Sequence, residues 1–286
     1  MQSQIFLIHA LTPIHIGNDI GLGAINLPTM REVHTGYPVI PGSSIKGVLR
    51  EQFRDRPEVA QRLFGPERGA EADARGDLAF GDAQLLALPV RSLYGTFAWV
   101  TCPHALARFA RDLKLTGESI EVPKLERSKD DHALVPSHTS ALTSGTAPGQ
   151  VFLEDFTLTP QKTPVLDKIA TAIAELGAKS RQLDAEFLKQ RLLCVHDDLF
   201  AHFARTCLEV RARVKIDHTT GTAAASGPWT EEHLPAETLL CGLVVGRTEK
   251  PTVLEQALGA ELRFGGRATL GLGRACMTLS SPNQAK

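Results

Sequence analysis

The chain has 286 residues, 43% hydrophobic and 22% charged, with a formal net charge of −1 at pH 7. This is an ordinary globular composition, long enough for one large domain or two modest ones. It excludes a global basic field, so a polyanionic partner would have to meet a local basic face. The five cysteines (102, 194, 207, 241 and 276) are odd in number and contain no C-x-x-C pair. That pattern argues against a disulfide framework and against a structural zinc site. No apolar run approaches the ~18 residues of a membrane helix. Residues 4–11 lack the basic start and cleavage site of a signal peptide, so a reduced, cytoplasmic protein is expected.

Residues 5–11 are apolar and predict a buried strand. Residues 17–27, rich in glycine and polar groups, predict a loop. It leads into residues 36–50, GYPVIPGSSIKGVLR. There a Pro41-Gly42 turn precedes Ser43 and Ser44, either of which can cap a helix over 45–53. Backbone amides, two hydroxyls, Lys46 and Arg50 would then share one helix N-terminus, where a phosphate is favoured. The order Lys46-Gly47, with no hydroxyl following, is not a Walker sequence. The competing reading is an ordinary capped helix with a solvated lysine.

Residues 66–75 predict an exposed insertion. Pro103 opens an amphipathic helix with Leu106, Phe109 and Leu113 on one side. Residues 137–150 predict a second loop, and residues 151–158 a strand. Helices are predicted over 164–178, with Leu166, Ile169, Ile173 and Leu176 inward, and over 183–193. Asp197 or Asp198 is placed to cap a short helix carrying Phe200 and Phe203. His196-Asp197-Asp198 has the composition of a metal cluster, but a cap comes first and no catalytic role is assigned to it. There is no tandem repeat.

Residues 208–217 alternate cleanly. Leu208, Val210, Ala212, Val214 and Ile216 share one face, and Glu209, Arg211, Arg213, Lys215 and Asp217 the other. Three cations recurring every ~7 Å approach the phosphate spacing of an extended single strand. A solvated outer face on an edge strand is the alternative. Residues 218–228, HTTGTAAASGP, predict a protruding hairpin. Trp229 at its base suits either stacking on a nucleobase or closing the hairpin. In residues 263–274, Gly265, Gly266, Gly271 and Gly273 allow a close backbone approach, while Arg263, Arg267 and Arg274 add charge. This is not a Rossmann fingerprint, and a glycine-rich hairpin is the alternative.

Six stretches together resemble a known family: His15-Ile16-Gly17, Arg31-Glu32-x-x-Thr35-Gly36-Tyr37-Pro38 through Arg50, Leu63-Phe64-Gly65, Pro89-Val90-Arg91-Ser92-Leu93-Tyr94-Gly95, Arg213-x-Lys215-Ile216-Asp217 through Glu231-Glu232-x-Leu234-Pro235, and the glycine-rich tail. They are similar to the RAMP proteins, RNA-binding subunits of type III CRISPR effector complexes. More narrowly, they resemble the repeated backbone subunit of the type III-B (Cmr) complex. The resemblance implies an α+β fold: a single RAMP domain over 1–286 with a ferredoxin-like (RRM-like) core and helical insertions. Insertions near 66–76 and 137–150 are expected, with a thumb β-hairpin over 211–232 that passes between guide and target strands.

The resemblance also implies an activity. In the family an aspartate in the loop after His-x-Gly is the principal residue for metal-dependent cleavage of target RNA at six-nucleotide intervals. Here that position is Asn26, which cannot carry a charge, act as a base or hold Mg²⁺ through an anionic oxygen. Strongly reduced or absent cleavage is expected, whether the asparagine is engineered or natural. Asp19 is a weak substitute. His15, as acid/base or RNA-positioning group, and Glu231 or Glu232 complete the candidate catalytic set, although a paired Glu231-Glu232 more often marks a solvated turn. The implied RNA-binding set is Ser43, Ser44, Lys46, Arg50, Arg211, Arg213, Lys215, Gly265, Gly266, Arg267, Gly271 and Gly273. Implied partners are guide RNA, single-stranded target RNA, further copies of the chain in a helical filament, each holding about six guide nucleotides, and the other effector subunits. No membrane is involved. Mg²⁺ or a similar divalent cation would serve only the aspartate form, and no structural cofactor is expected. Two alternatives stand beside this reading: a structural RAMP subunit that never cuts, and a metal-independent endonuclease that processes guide precursors through His15.

Overall fold

A computed structural model describes residues 2–17, 25–66, 75–125, 131–137, 141–145, 149–177, 183–223, 227–248, 251–256, 258 and 261–280. In chain order these form β1 (Gln2–Ala10), β2 (Val39–Ile40), α1 (Gly42–Glu51), α2 (Pro57–Phe64), β3 (Leu78–Phe80), β4 (Ala83–Arg91), β5 (Phe97–Thr101) and α3 (Pro103–Leu115). Then follow β6 (His132–Val135), β7 (Val151–Leu153), β8 (Phe156–Lys162), α4 (Pro164–Gly177), α5 (Ala185–Arg191), β9 (Leu192–Cys194) and α6 (Asp197–Thr206). The chain closes with β10 (Glu209–Arg213), β11 (Trp229–His233), β12 (Leu239–Gly246), β13 (Leu262–Arg263) and β14 (Arg274–Leu279), plus short 3₁₀ turns.

Twelve strands make one sheet with the path β13-β14-β1-β12-β4-β5-β9-β6-β8-β7, while β2 joins β4 and β3 joins β12. β1 is apolar from Ile5 to Ile8 because it is flanked by β14 and β12 and covered on both faces. Ile5 and Leu7 enter a core under α3, α4 and α5 with Phe109, Leu166 and Ile173. Phe6 and Ile8 enter a second core under α1, α2 and α6 with Leu49, Phe64 and Phe203. The far end of the sheet curls back, so that Leu153 of β7 bridges Ser92 beside β4, which shields an edge from stray pairing. The mixed α/β class follows from these layers. β10 and β11 stand apart as a two-stranded sheet at the expected thumb.

Four local expectations are corrected. Ser43 and Ser44 do not cap α1: its N-cap is Pro41, with no side-chain cap bond. Gly42 N–H donates instead to Asp82 Oδ1 at 2.8 Å. A Cβ on Gly42 would lie 2.4 Å from the Phe80 carbonyl oxygen, so the Pro-Gly pair serves a close helix-to-strand approach. The strand expected over 151–158 is a hairpin, β7 to β8, turning through Glu154 at φ 48°. The helix expected over 183–193 ends at Arg191, because Leu192, Leu193 and Cys194 are wholly buried as a strand between β5 and β6. α6 is capped by neither aspartate. His196 Nδ1 accepts the Asp198 N–H at 3.3 Å, and Asp197 Oδ1 accepts the His104 N–H at 2.9 Å. The insertion expected near 66–76 falls largely outside the described residues, as does Asp19, whereas in 137–150 residues 141–145 pack onto the fold, with Leu142 fully buried and Thr143 bridging Val151.

Candidate nucleic-acid interface

The site is organised by β11. It pairs with β10 in the register Glu209↔His233, Arg211↔Glu231 and Arg213↔Trp229. On its other side Leu27 bridges Glu231, with Leu27 N–H donating to the Thr230 carbonyl at 3.0 Å and Glu232 N–H to the Leu27 carbonyl at 2.9 Å. The loop carrying Asn26 is thereby stitched to the thumb base. Asn26 is exposed, and its Oδ1 accepts from Thr230 N–H at 2.8 Å and from Thr230 Oγ1 at 3.1 Å. Both bonds end on the oxygen that an aspartate would also present.

Glu231 and Glu232 are not a solvated turn, since both are fully buried. Glu231 Oε1 accepts from Trp229 Nε1 at 2.9 Å and from Arg267 at 2.6 Å, and its Oε2 accepts from Arg213 Nε at 3.2 Å. Burial pushes its carboxyl up, but the Trp229, Arg267 and Arg213 bonds outweigh burial and hold it below the ordinary carboxylate value. Glu232 accepts from Arg31 at 2.7 Å and from Thr29 N–H at 3.0 Å. Arg31 also binds the Gly36 and Ala204 carbonyls, at 2.7 and 2.8 Å. Its neighbour Glu32 pairs with buried Arg108. The Arg31-Glu32 motif is thus a scaffold that ties the Asn26 loop to α6 and α3.

His15, 7% exposed, donates Nδ1–H to the Glu232 carbonyl at 2.7 Å, which leaves the Nε2 lone pair without a hydrogen-bond partner among the described residues. Its ring lies 5.2 Å from that of His233. His233 is wholly buried, and neither ring nitrogen has a hydrogen-bond partner among the described residues. Desolvation, reinforced by His15 and Arg211, pushes its pKa down and keeps it neutral. Sequence reasoning missed His233, since no motif or periodicity sets it apart.

The thumb strand presents the opposite face from the one expected. Arg211 and Arg213 are half-buried, whereas Val210, Val214 and Ile216 are 53, 49 and 45% exposed. The cause is electrostatic: Arg213 turns in to Glu231, and Arg211 folds onto Glu209 at 2.5 Å. Lys215 is exposed and without a side-chain partner among the described residues. Trp229 neither closes a core nor stands free; it is half-buried and bonded to Glu231.

In the glycine-rich tail, the close approach is to this chain itself. A Cβ on Gly265 (φ 78°) would fall 2.1 Å from the His15 carbonyl oxygen, and one on Gly273 (φ 82°) would fall 2.3 Å from that of Phe264. Gly266 N–H donates to the His15 carbonyl at 3.0 Å. Gly266 and Gly271 face open space. The tail thus packs on His15 and delivers Arg267 to Glu231.

The α1 residues form a different feature, a cleft of about 410 Å³ lined by Gly42, Ser43, Lys46, Gly65, Arg75 and Phe80 among others. It shares no lining residue with the Glu231 cluster. Lys46 makes no ion pair among the described residues, while Arg50 is occupied with the Gly65 carbonyl at 2.6 Å. One amide of the helix start is already taken by Asp82, so Ser43, Lys46 and Arg75 are the groups left to meet an anion.

Among the described residues, no group of three or more His, Cys, Asp and Glu side chains could hold a metal ion. With a neutral amide at position 26 and both glutamates held by arginines, the described residues do not fit a divalent cation. No described helix is long and apolar enough to cross a membrane.

Residues 7–276 match the RAMP superfamily, and the chain belongs to that family. It is 33% identical to the CRISPR system Cmr endoribonuclease Cmr4 of Pyrococcus furiosus, over 98% of this chain and 96% of that protein. The CMR subunit Cmr4 of Saccharolobus solfataricus is 23% identical, over 94% of this chain and 93% of that one. The crystal structure of oligomeric Cmr4 from Pyrococcus furiosus superposes with a TM-score of 0.73 at 30% identity, covering 98% of each chain. A chain of the type III-B Cmr-beta complex bound to cognate target RNA shares the fold, with a TM-score of 0.71 at 20% identity.

Proposed function

We propose that this chain is the guide-RNA-binding backbone subunit of a type III-B CRISPR effector, repeated along the guide. With aspartate at position 26 it would cleave guide-paired target RNA at six-nucleotide intervals; as it stands, it is catalytically silent. The near-full-length likeness to an endoribonuclease supports the RNA-directed role, and the oligomeric relative supports self-association. The observation that carries the site assignment is the convergence of His15, Asn26, Glu231 and Glu232 on β11 from distant parts of the chain.

In this reading the backbone contacts are largely to phosphate, which gives affinity without sequence preference, and the guide supplies specificity by pairing. His15, held to the β11 backbone through Nδ1, is assigned to hold or move a proton at the target ribose through Nε2. Asn26 keeps the loop geometry while supplying no charge. A divalent-cation requirement belongs to the aspartate form.

The test is target-RNA cleavage by the assembled complex with Mg²⁺, comparing this chain with Asn26→Asp. Cuts at six-nucleotide intervals only with the aspartate, abolished by chelation, are expected. No cuts from either form, with target still bound, would support the second reading, a purely structural RNA-binding subunit. The saturation of Glu231 and Glu232 by arginine and backbone donors favours that reading.

A further inference from the structure

We infer that Glu231 is a positioning residue, whose buried carboxylate holds Arg213, Arg267 and Trp229 as a single clip for an RNA phosphodiester. The inference rests on the RNA-binding reading and reassigns Glu231 within it, from the cleavage chemistry to the presentation of cations.

The geometry is specific. One carboxylate gathers two guanidinium groups from segments more than fifty positions apart in sequence, Arg213 on the thumb and Arg267 in the glycine-rich tail. Each is held through a single N–H of the five a guanidinium carries, Nε of Arg213 and one terminal nitrogen of Arg267, so most donors remain for another acceptor. Two cations on one anion leave an excess positive charge, and the two arginines are 26 and 41% exposed while Glu231 is not exposed at all. The excess charge therefore faces outward. Indole Nε1 of Trp229 is fixed by the same carboxylate at 2.9 Å, which orients a half-buried aromatic plane beside the cations. Paired guanidinium forks with a neighbouring aromatic face suit a phosphate and its attached base.

A second, independent observation comes from the backbone. Arg267 stands at φ 66°, a left-handed conformation that non-glycine residues rarely occupy, although glycines flank the turn on its N-terminal side. Backbone strain of this kind concentrates at ligand clamps. The side chain retained at that strained position is the one that reaches Glu231.

The test measures binding of a fluorescein-labelled single-stranded RNA to the full chain across a salt series. The variants are Glu231→Gln, Arg267→Ala, Arg213→Ala/Arg267→Ala, and Glu231→Gln added to that pair. Removing an anion should tighten RNA binding if Glu231 merely opposes phosphate. The clip predicts the reverse: Glu231→Gln weakens binding about ten-fold, and the slope of log K against log salt falls by about 0.7, one phosphate contact. In the double-alanine background Glu231→Gln should have no further effect. Tighter binding by Glu231→Gln, or an equal loss in both backgrounds, overturns the proposal. Should Glu231→Gln fail to fold, Arg267→Ala at its half-exposed position decides: unchanged affinity and slope overturn it. Guide and target both present phosphodiesters. Loss on the first strand assigns the clip to the guide, and loss only for a complementary strand added to the guide-loaded protein assigns it to the target. If the unaltered chain binds neither strand, the RNA-binding reading fails, and the clip with it; intact binding indifferent to every variant sinks the clip alone.

Discussion

The thumb base and the α1 cleft use cations in opposite ways. At the thumb base, Arg213 and Arg267 are pinned by a buried carboxylate, inside a network that also fixes Trp229. At the cleft, Lys46 hangs from α1 with no partner among the described residues. A pinned guanidinium contributes direction and loses little entropy on binding, whereas a free ammonium contributes charge and gives up rotamer freedom. The first region should therefore couple stability to RNA binding, and the second should not.

The largest expected effect breaks the pinned side. Glu231→Ala removes a buried carboxylate and three hydrogen bonds to it, and with solvent reaching both guanidiniums urea unfolding should show a loss of about 2–3 kcal/mol. An unchanged midpoint would mean that the network adds nothing. Next comes Gly265→Ala. The added Cβ meets the His15 carbonyl and the residue sits at φ 78°, so a loss of roughly 2 kcal/mol or more is expected by the same assay. Gly271→Ala, strained at φ 79° but with open space around it, should cost only about 1 kcal/mol. Equal costs would contradict the packing role given to Gly265. The smallest stability change belongs to Lys46→Ala, within about 0.5 kcal/mol, although RNA affinity and its salt slope should both fall. A Lys46→Ala protein that melts early would erase the contrast.

Acid provides a further probe. Glu231 is held below its ordinary 4.5, so the stability it contributes is present above that value and is lost as pH falls through the lower, folded one. His233 is held below its ordinary 6.5, so the fold resists its protonation, and stability starts to decline as pH drops under that value. Both signs run the same way. Thermal unfolding should move to lower temperature from about pH 6.5 downward, and His233→Phe should flatten the part just below pH 6.5. A profile unaffected by that substitution would place the sensitivity elsewhere.

Periodicity located what is locally determined. The buried faces of α3 and α4, Leu106, Phe109, Leu166 and Ile173, lie where spacing puts them, and β1 is the buried strand that the apolar run predicts. The motifs carried His15, Asn26, Glu231 and Glu232, and the fold brings them to one strand. Alternation over 208–217 defines two faces but not which of them turns inward. That choice depends on Glu231, buried by distant packing, which alternation alone does not reveal. The pinning of Arg267 and the ring contact of His233 with His15 escape the sequence for the same reason: the groups that meet lie far apart in the chain. The serine and aspartate caps do not form because the first amides of α1 and α6 find their acceptors in Asp82 and His196, outside the Ser/Asp pattern that marks an ordinary start.

The central claim is that this chain is a repeated subunit laid along a guide RNA, and native mass spectrometry tests it directly. The chain would be mixed with guide RNAs lengthened in six-nucleotide steps and the bound copies counted. The account predicts one further copy for each step of about six nucleotides, with or without Asn26→Asp. A fixed copy number whatever the RNA length would contradict it.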